Sequence, residues 1–241
     1  MRMPFVTACG CLALVLACAG SARAQRAASV SPDDAAAIQA LVSGYARALS
    51  ACAAEDFADL FVPDTGYFAS GFRGHVLGRQ RLIALVQSER HCTAPAGAAP
   101  AARPGGNTGP TPVLAATAGG VRGVADLGAA GQYQDEYVKT PAGWRFASRT
   151  VLTPAEKAAG LDAAALLAIW RAGGAELNDL YVADASGAKR FRTSGVAISV
   201  AGGRVTGRVY QKDGSYFDDV YEQTAPGEWR VVTRTRVAAA P

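Results

Sequence analysis

Residues 131–150 read GQYQDEYVKTPAGWRFASRT, and residues 214–235 read GSYFDDVYEQTAPGEWRVVTRT. Each stretch holds two runs of β-favouring residues around a Pro/Gly turn, then a Trp-Arg pair and an Arg-Thr ending. Each therefore reads as an antiparallel hairpin. On a strand, alternate side chains share a face, so Tyr133, Asp135 and Tyr137 stand together, opposite Gln134, Glu136 and Val138. The likeness extends backwards: VLAATAGGVRGVADL (113–127) and VAISVAGGRVTGRVY (196–210) both place an Ala-Gly-Gly turn between strands. The repeat thus spans roughly 113–151 and 196–236, with Asp218 read as the counterpart of Asp135. Trp144 and Trp229 are expected to pack the two sheets.

Helices precede the first copy. In SPDDAAAIQALVSGYARALS, Ser31 is a good N-cap, Pro32 suits the first helical position, and Asp33 and Asp34 favour the positive helix end. Ile38, Leu41, Val42, Tyr45 and Leu49 recur at helical spacing, which puts Tyr45 on the buried face. A short helix follows in AEDFADLF, ended by Pro63-Asp64; then a hairpin or bend in TGYFASGFRGHVLG, and a third helix in RQRLIALVQSERHC. Residues 93–112 are rich in Ala, Pro and Gly and carry no hydrophobic period, which predicts a flap or an insertion. The second copy has one helix before it, in TPAEKAAGLDAAALLAIWRAGG, and no counterpart of helix one is expected there.

The N-terminus, MRMPFVTACGCLALVLACAGSARAQ, has a basic start, a short apolar run and Ala22-Arg23-Ala24 at its end. This predicts a secretory signal cut after Ala24, and a periplasmic or secreted protein. A lipoprotein site at Cys18 is the lesser alternative, and the run is shorter than the ~20 residues a spanning helix needs. Without residues 1–24 the chain has 22 basic and 20 acidic residues, and no Lys/Arg run to track a phosphate backbone. No nucleic-acid partner, membrane span or cofactor is expected. Two histidines and no Cys-x-x-Cys make no metal set. Only Cys52 and Cys92 remain beyond the signal, an even pair in an oxidising compartment, so a Cys52–Cys92 disulfide is predicted.

Residues 31–152 resemble the SnoaL-like branch of the NTF2-like superfamily, which includes ketosteroid isomerase, scytalone dehydratase and polyketide cyclases. The resemblance rests on YARALSACAAEDFADLFVPD (45–64), Gly78-Arg79 and YQDEYVKTPAGWRFASR (133–149). It implies an α+β fold: a cone of helices packed in a curved antiparallel sheet, open to a pocket, and here followed by a sheet-rich partial repeat. The units would be residues 31–153 and 154–241. By the same resemblance Tyr45 matches an oxyanion donor, Asp135 matches the strand carboxylic acid beside it, and His91 stands where relatives use a pocket histidine. The proton-shuttling Asp of ketosteroid isomerase falls on Ala69, and the acid that dehydratases carry after the helix-one Tyr falls on Ser50, so both are missing.

Two functional readings stand. One is a binding cone for a small hydrophobic molecule. The other is a lyase or isomerase with Asp135 as acid/base, Tyr45 and Tyr137 as polarising donors and His91 as helper; a carboxyl in apolar surroundings can shuttle a proton and a Tyr can stabilise an enolate. The bland alternatives are a cross-strand pair of Asp135 with Arg149 or Arg145, a packed Tyr45, and His91 as a helix-end cation. His75 reads as inert in an exposed turn. A homodimer or an internal pseudo-dimer, with the second copy covering the open sheet face, completes the expectation.

Overall fold

The structure is a computed structural model that describes residues 29–71, 73–89, 92, 109–174, 180–183, 189–192, 196–211 and 213–238. Residues 180–183 and 189–192 are described as backbone only. The expected signal segment with Cys18, His91 and most of the 93–112 stretch lie outside the described residues.

The first unit runs α1 (Pro32–Ser50), α2 (Ala54–Ala58), β1 (Tyr67–Ser70), β2 (Gly74–Leu77), α3 (Arg79–Gln87), β3 (Val113–Thr117), β4 (Gly120–Asp126), β5 (Gln132–Thr140) and β6 (Gly143–Leu152). Its six strands are ordered β2-β1-β6-β5-β4-β3. Every pairing is antiparallel except β1 with β6. Ser31 caps α1, its hydroxyl accepting from the Asp34 amide at 3.1 Å. Asp34 in turn accepts from Lys139 Nζ at 2.8 Å and Trp144 Nε1 at 2.9 Å. Those bonds, led by Lys139, pull the Asp34 carboxyl down to about 2 and tie the helix start to the β5–β6 turn. α1 buries Ile38, Leu41, Val42, Tyr45, Ala48 and Leu49 against the sheet. Burial of each large apolar side chain is worth roughly 1.5–3 kcal/mol relative to exposure. A Cys52–Cys92 disulfide, with Cα atoms 5.5 Å apart, ties the end of α1 to the segment after α3.

The second unit runs α4 (Pro154–Ala158), α5 (Ala163–Ala172), β7 (Leu180–Ala183), β8 (Lys189–Arg192), β9 (Val196–Ala201), β10 (Arg204–Tyr210), β11 (Tyr216–Ala225) and β12 (Glu228–Val237). The single helix expected over this stretch is two. Gly160, at φ +75°, breaks the path, Thr153 and Glu156 form a reciprocal cap on α4, and Asp162 caps α5. β9–β12 form a four-stranded antiparallel sheet, and β7–β8 a separate two-stranded one.

α5 lies between the two units. Leu166, Ile169 and Trp170 pack with Val196, Ile198, Val205, Val209 and Tyr221 of the second sheet, and with Ala69 and Leu152 on the outer face of the first. The Ala163 amide donates to Gln134 Oε1 at 2.9 Å, and the Ile198 amide to the Gly71 carbonyl at 2.7 Å. The second unit therefore covers part of the outer face of the first sheet. Among the described residues no helix is long and apolar enough to cross a membrane, and no group of three metal-ligating side chains forms.

The reading of His75 as exposed is corrected. It sits on β2 at 8% exposure, its ring 4.3 Å from that of Tyr67 and 5.8 Å from that of Trp170. The local turn signal is real, but α5 folds over it. Burial, helped by the Arg171 charge, pushes His75 down to about 4 from the ordinary 6.5. Between those values the unfolded chain binds a proton that the folded one refuses. Stability is therefore full above about pH 6.5 and falls as pH drops toward 4, by on the order of 3 kcal/mol. Urea titrations at pH 7 and pH 4.5 are expected to show this loss, and His75→Phe to flatten it; an unchanged pH slope in the variant would refute the assignment.

Candidate functional site

Tyr45, Asp135 and Tyr137 come together, and the group that joins them is Arg149. Asp135 and Arg149 are Cα partners across β5 and β6. Arg149 Nε donates to Asp135 Oδ1 at 2.9 Å and Nη2 to Oδ2 at 2.7 Å, with both side chains fully buried. The Tyr137 hydroxyl donates to Oδ2 at 2.6 Å. A β-bulge between Glu136 and Tyr137 turns the ring of Tyr137 over Gly123, where a Cβ would lie 2.6 Å from the ring. Glycine is required there by close approach rather than by backbone angle. Burial, then the Asp135 charge, pushes the Tyr137 phenol far up. Burial alone would lower the Arg149 guanidinium, but the Asp135 charge and hydrogen bonds outweigh it, and the net direction is up.

The guanidinium is also ringed by aromatics. Its Cζ lies 4.2 Å from the Tyr45 ring centre, 4.1 Å from Tyr133 and 4.4 Å from Phe146. Behind these, Phe57 and Phe61 continue the apolar interior. Nη1 of Arg149 is buried and has no hydrogen-bond partner among the described residues.

The expected acid/base arrangement is not what this geometry provides. Asp135 accepts three hydrogen bonds, two from the Arg149 guanidinium, so both its oxygens are already engaged within the protein. Tyr45 meets the site through its ring on Arg149. Ala69 does not face the cone at all: it belongs to the outer-face core shared with α5. Arg149 is the residue that sequence reasoning undervalued, since a cross-strand Arg opposite an Asp carries no sign of how deeply it will be buried.

The second copy repeats the whole constellation, with one correction of register. Asp219, not Asp218, is the counterpart of Asp135. Arg234 Nε and Nη2 donate to Asp219 at 2.8 and 2.6 Å, and the Tyr221 hydroxyl donates to it at 3.1 Å. A bulge again precedes the tyrosine, between Val220 and Tyr221, and Gly207 again lies under its ring. Asp218 instead faces Arg208 on the other side of the sheet, Oδ1 to Nε 3.0 Å, with both side chains substantially exposed. The helix expected before this copy, α5, is present, and it brings no tyrosine. The Gly173 carbonyl at the end of α5 accepts from Arg234 Nη2 at 2.9 Å, and the Arg234 side chain is 41% exposed. Among the described residues, one buried guanidinium therefore keeps an unmatched donor, and its twin is closed by backbone and solvent.

Grooves of about 590 and 530 Å³ lie on the second unit, the first lined by Ala197, Ser199, Thr206, Arg208 and Asp218. None of Tyr45, Asp135 and Tyr137 lines either groove.

An α+β cone built on a buried Asp–Arg–Tyr cluster is the class that fold and site define. The sequence profile of the SnoaL-like domain matches residues 31–150, and this half of the chain belongs to that family. Solved structures similar to the chain include an NTF2-like protein with a cystatin-like fold from Novosphingobium aromaticivorans. It is 19% identical over 52% of this chain and 88% of that one, with a TM-score of 0.37. A domain of unknown function with a cystatin-like fold from Nostoc punctiforme is 18% identical over 58% and 94%, with a TM-score of 0.37. A Mycobacterium tuberculosis protein of unknown function is 21% identical over 52% and 77%, with a TM-score of 0.35. No curated protein matches significantly.

Proposed function

We propose that the protein is exported and that its SnoaL-like cone binds a small, largely apolar molecule that carries an acceptor oxygen, such as a carboxylate or ketone. The observation that carries this reading is Nη1 of Arg149: a charged donor, wholly buried among Tyr45, Tyr133 and Phe146, with no acceptor among the described residues. Buried polar groups are nearly always paired, and leaving a charged donor unmatched is costly. The twin at Arg234 shows that this fold can close the same pair with a backbone carbonyl. An aromatic-lined interior with one convergent polar group is what small-molecule sites offer. Lyase or isomerase chemistry through Asp135, Tyr45 and Tyr137 is the weaker reading, because the carboxylate is already committed to Arg149 and Tyr137. Export is supported by the basic-apolar-small order of residues 1–24 and by the Cys52–Cys92 disulfide, which suits an oxidising compartment.

Native mass spectrometry of the mature protein recovered from the periplasm tests the binding function. A retained adduct is expected on the wild type, and its loss from Arg149→Lys, with cooperative melting preserved in the variant. A bare wild-type mass, together with no melting shift from a panel of apolar carboxylates and ketones, would end this reading.

A further inference from the structure

The repeat reaches further than the hairpins, and it leaves one strand edge unfilled. In the first unit the β1–β2 hairpin pairs Tyr67 with Leu77, Phe68 with Val76, Ala69 with His75 and Ser70 with Gly74. The β7–β8 hairpin has the same four-pair register: Leu180 with Arg192, Tyr181 with Phe191, Val182 with Arg190 and Ala183 with Lys189. In the first unit β1 then lies parallel to β6, with Phe68 beside Arg149 and Ala69 beside Thr150. The strand equivalent to β6 is β12, matched through Arg149 and Arg234. Yet β12 ends its sheet, and β7–β8 stands as a separate sheet.

β12 is a long open edge. It is ten residues long, contains no proline, and exposes Val232.

The chain cannot fill this edge with its own hairpin. In the order β8-β7-β12-β11-β10-β9, five inter-strand steps separate β8 from β9, about 24 Å across the sheet. In the first unit residues 78–112, including α3, make the matching connection. In the second, only residues 193–195 join Arg192 to Val196, and so short a link reaches at most ~14 Å.

We propose that the β7–β8 hairpin of one chain adds to the β12 edge of a second copy of this chain, with Leu180–Ala183 parallel to Thr233–Arg236. The exchange is reciprocal and gives a dimer. Each second sheet becomes, in trans, the six-stranded sheet that the first unit builds in cis. Strand addition of this kind gains its affinity from main-chain hydrogen bonds along the open edge. The register follows from the first unit: as Ala69 lies beside Thr150, Val182 lies beside Thr235.

Two single-cysteine variants, Val182→Cys and Thr235→Cys, are mixed at micromolar concentration under mild oxidation. Light scattering is run on the wild type and on a chain with 180–192 replaced by a Gly/Ser linker. The expected results are a cross-linked heterodimer on a non-reducing gel, a wild-type dimer, and a monomeric linker variant that still melts cooperatively. A wild-type monomer overturns the proposal. So does a dimer that survives the linker replacement, or a Val182→Cys/Thr235→Cys double variant that closes only within one chain.

Discussion

Arg149→Met is expected to lower stability by about 3–5 kcal/mol, the cost of stranding one charge of a buried pair. Asp135 would then keep a fully buried carboxylate with the Tyr137 hydroxyl as its remaining partner among the three donors described. The same logic makes Asp135→Leu severe, since it strands a guanidinium enclosed by three rings. The double variant Asp135→Leu/Arg149→Met is expected to cost less than either single change, because no uncompensated charge remains. Equilibrium urea unfolding of the four proteins closes the cycle. Additive losses, or an Arg149→Met variant within 1 kcal/mol of wild type, would show that the pair is not the keystone described. The twin gives an internal comparison: Arg234→Met should cost less, since that guanidinium is 41% exposed.

Removing the disulfide is the second large effect. Cys52 and Cys92 are 40 residues apart. Closing a loop of that length restricts the unfolded chain by about 4 kcal/mol in the chain-entropy account. Cys52→Ser/Cys92→Ser is expected to lose most of this, and a reductant should mimic the variant on wild type. Equal urea midpoints with and without reductant would contradict it.

Much of the fold was legible in the chain. The Ser31-Pro32-Asp33-Asp34 start, the helical spacing through Leu49, the paired hairpins and the Ala-Gly-Gly turns each state a local preference that the tertiary structure keeps. Such features are written in contiguous residues, so periodicity and turn chemistry suffice to read them. At His75 and Asp218 local sequence is not enough, because exposure and facing depend on what the chain packs against. α5 buries His75, and one position of strand register decides which of Asp218 and Asp219 faces the core.

The site divides in the same way. From the sequence alone came the SnoaL-like half, the Tyr45, Asp135 and Tyr137 set, and the Cys52–Cys92 pairing. Only the folded chain showed that Asp135 is held by Arg149, that three rings from α1, β5 and β6 close over that cation, and that Nη1 has no acceptor among the described residues. Local preferences are carried by neighbours in sequence. The state of a charge depends on groups brought from distant elements, which decide whether it meets water, a partner or neither.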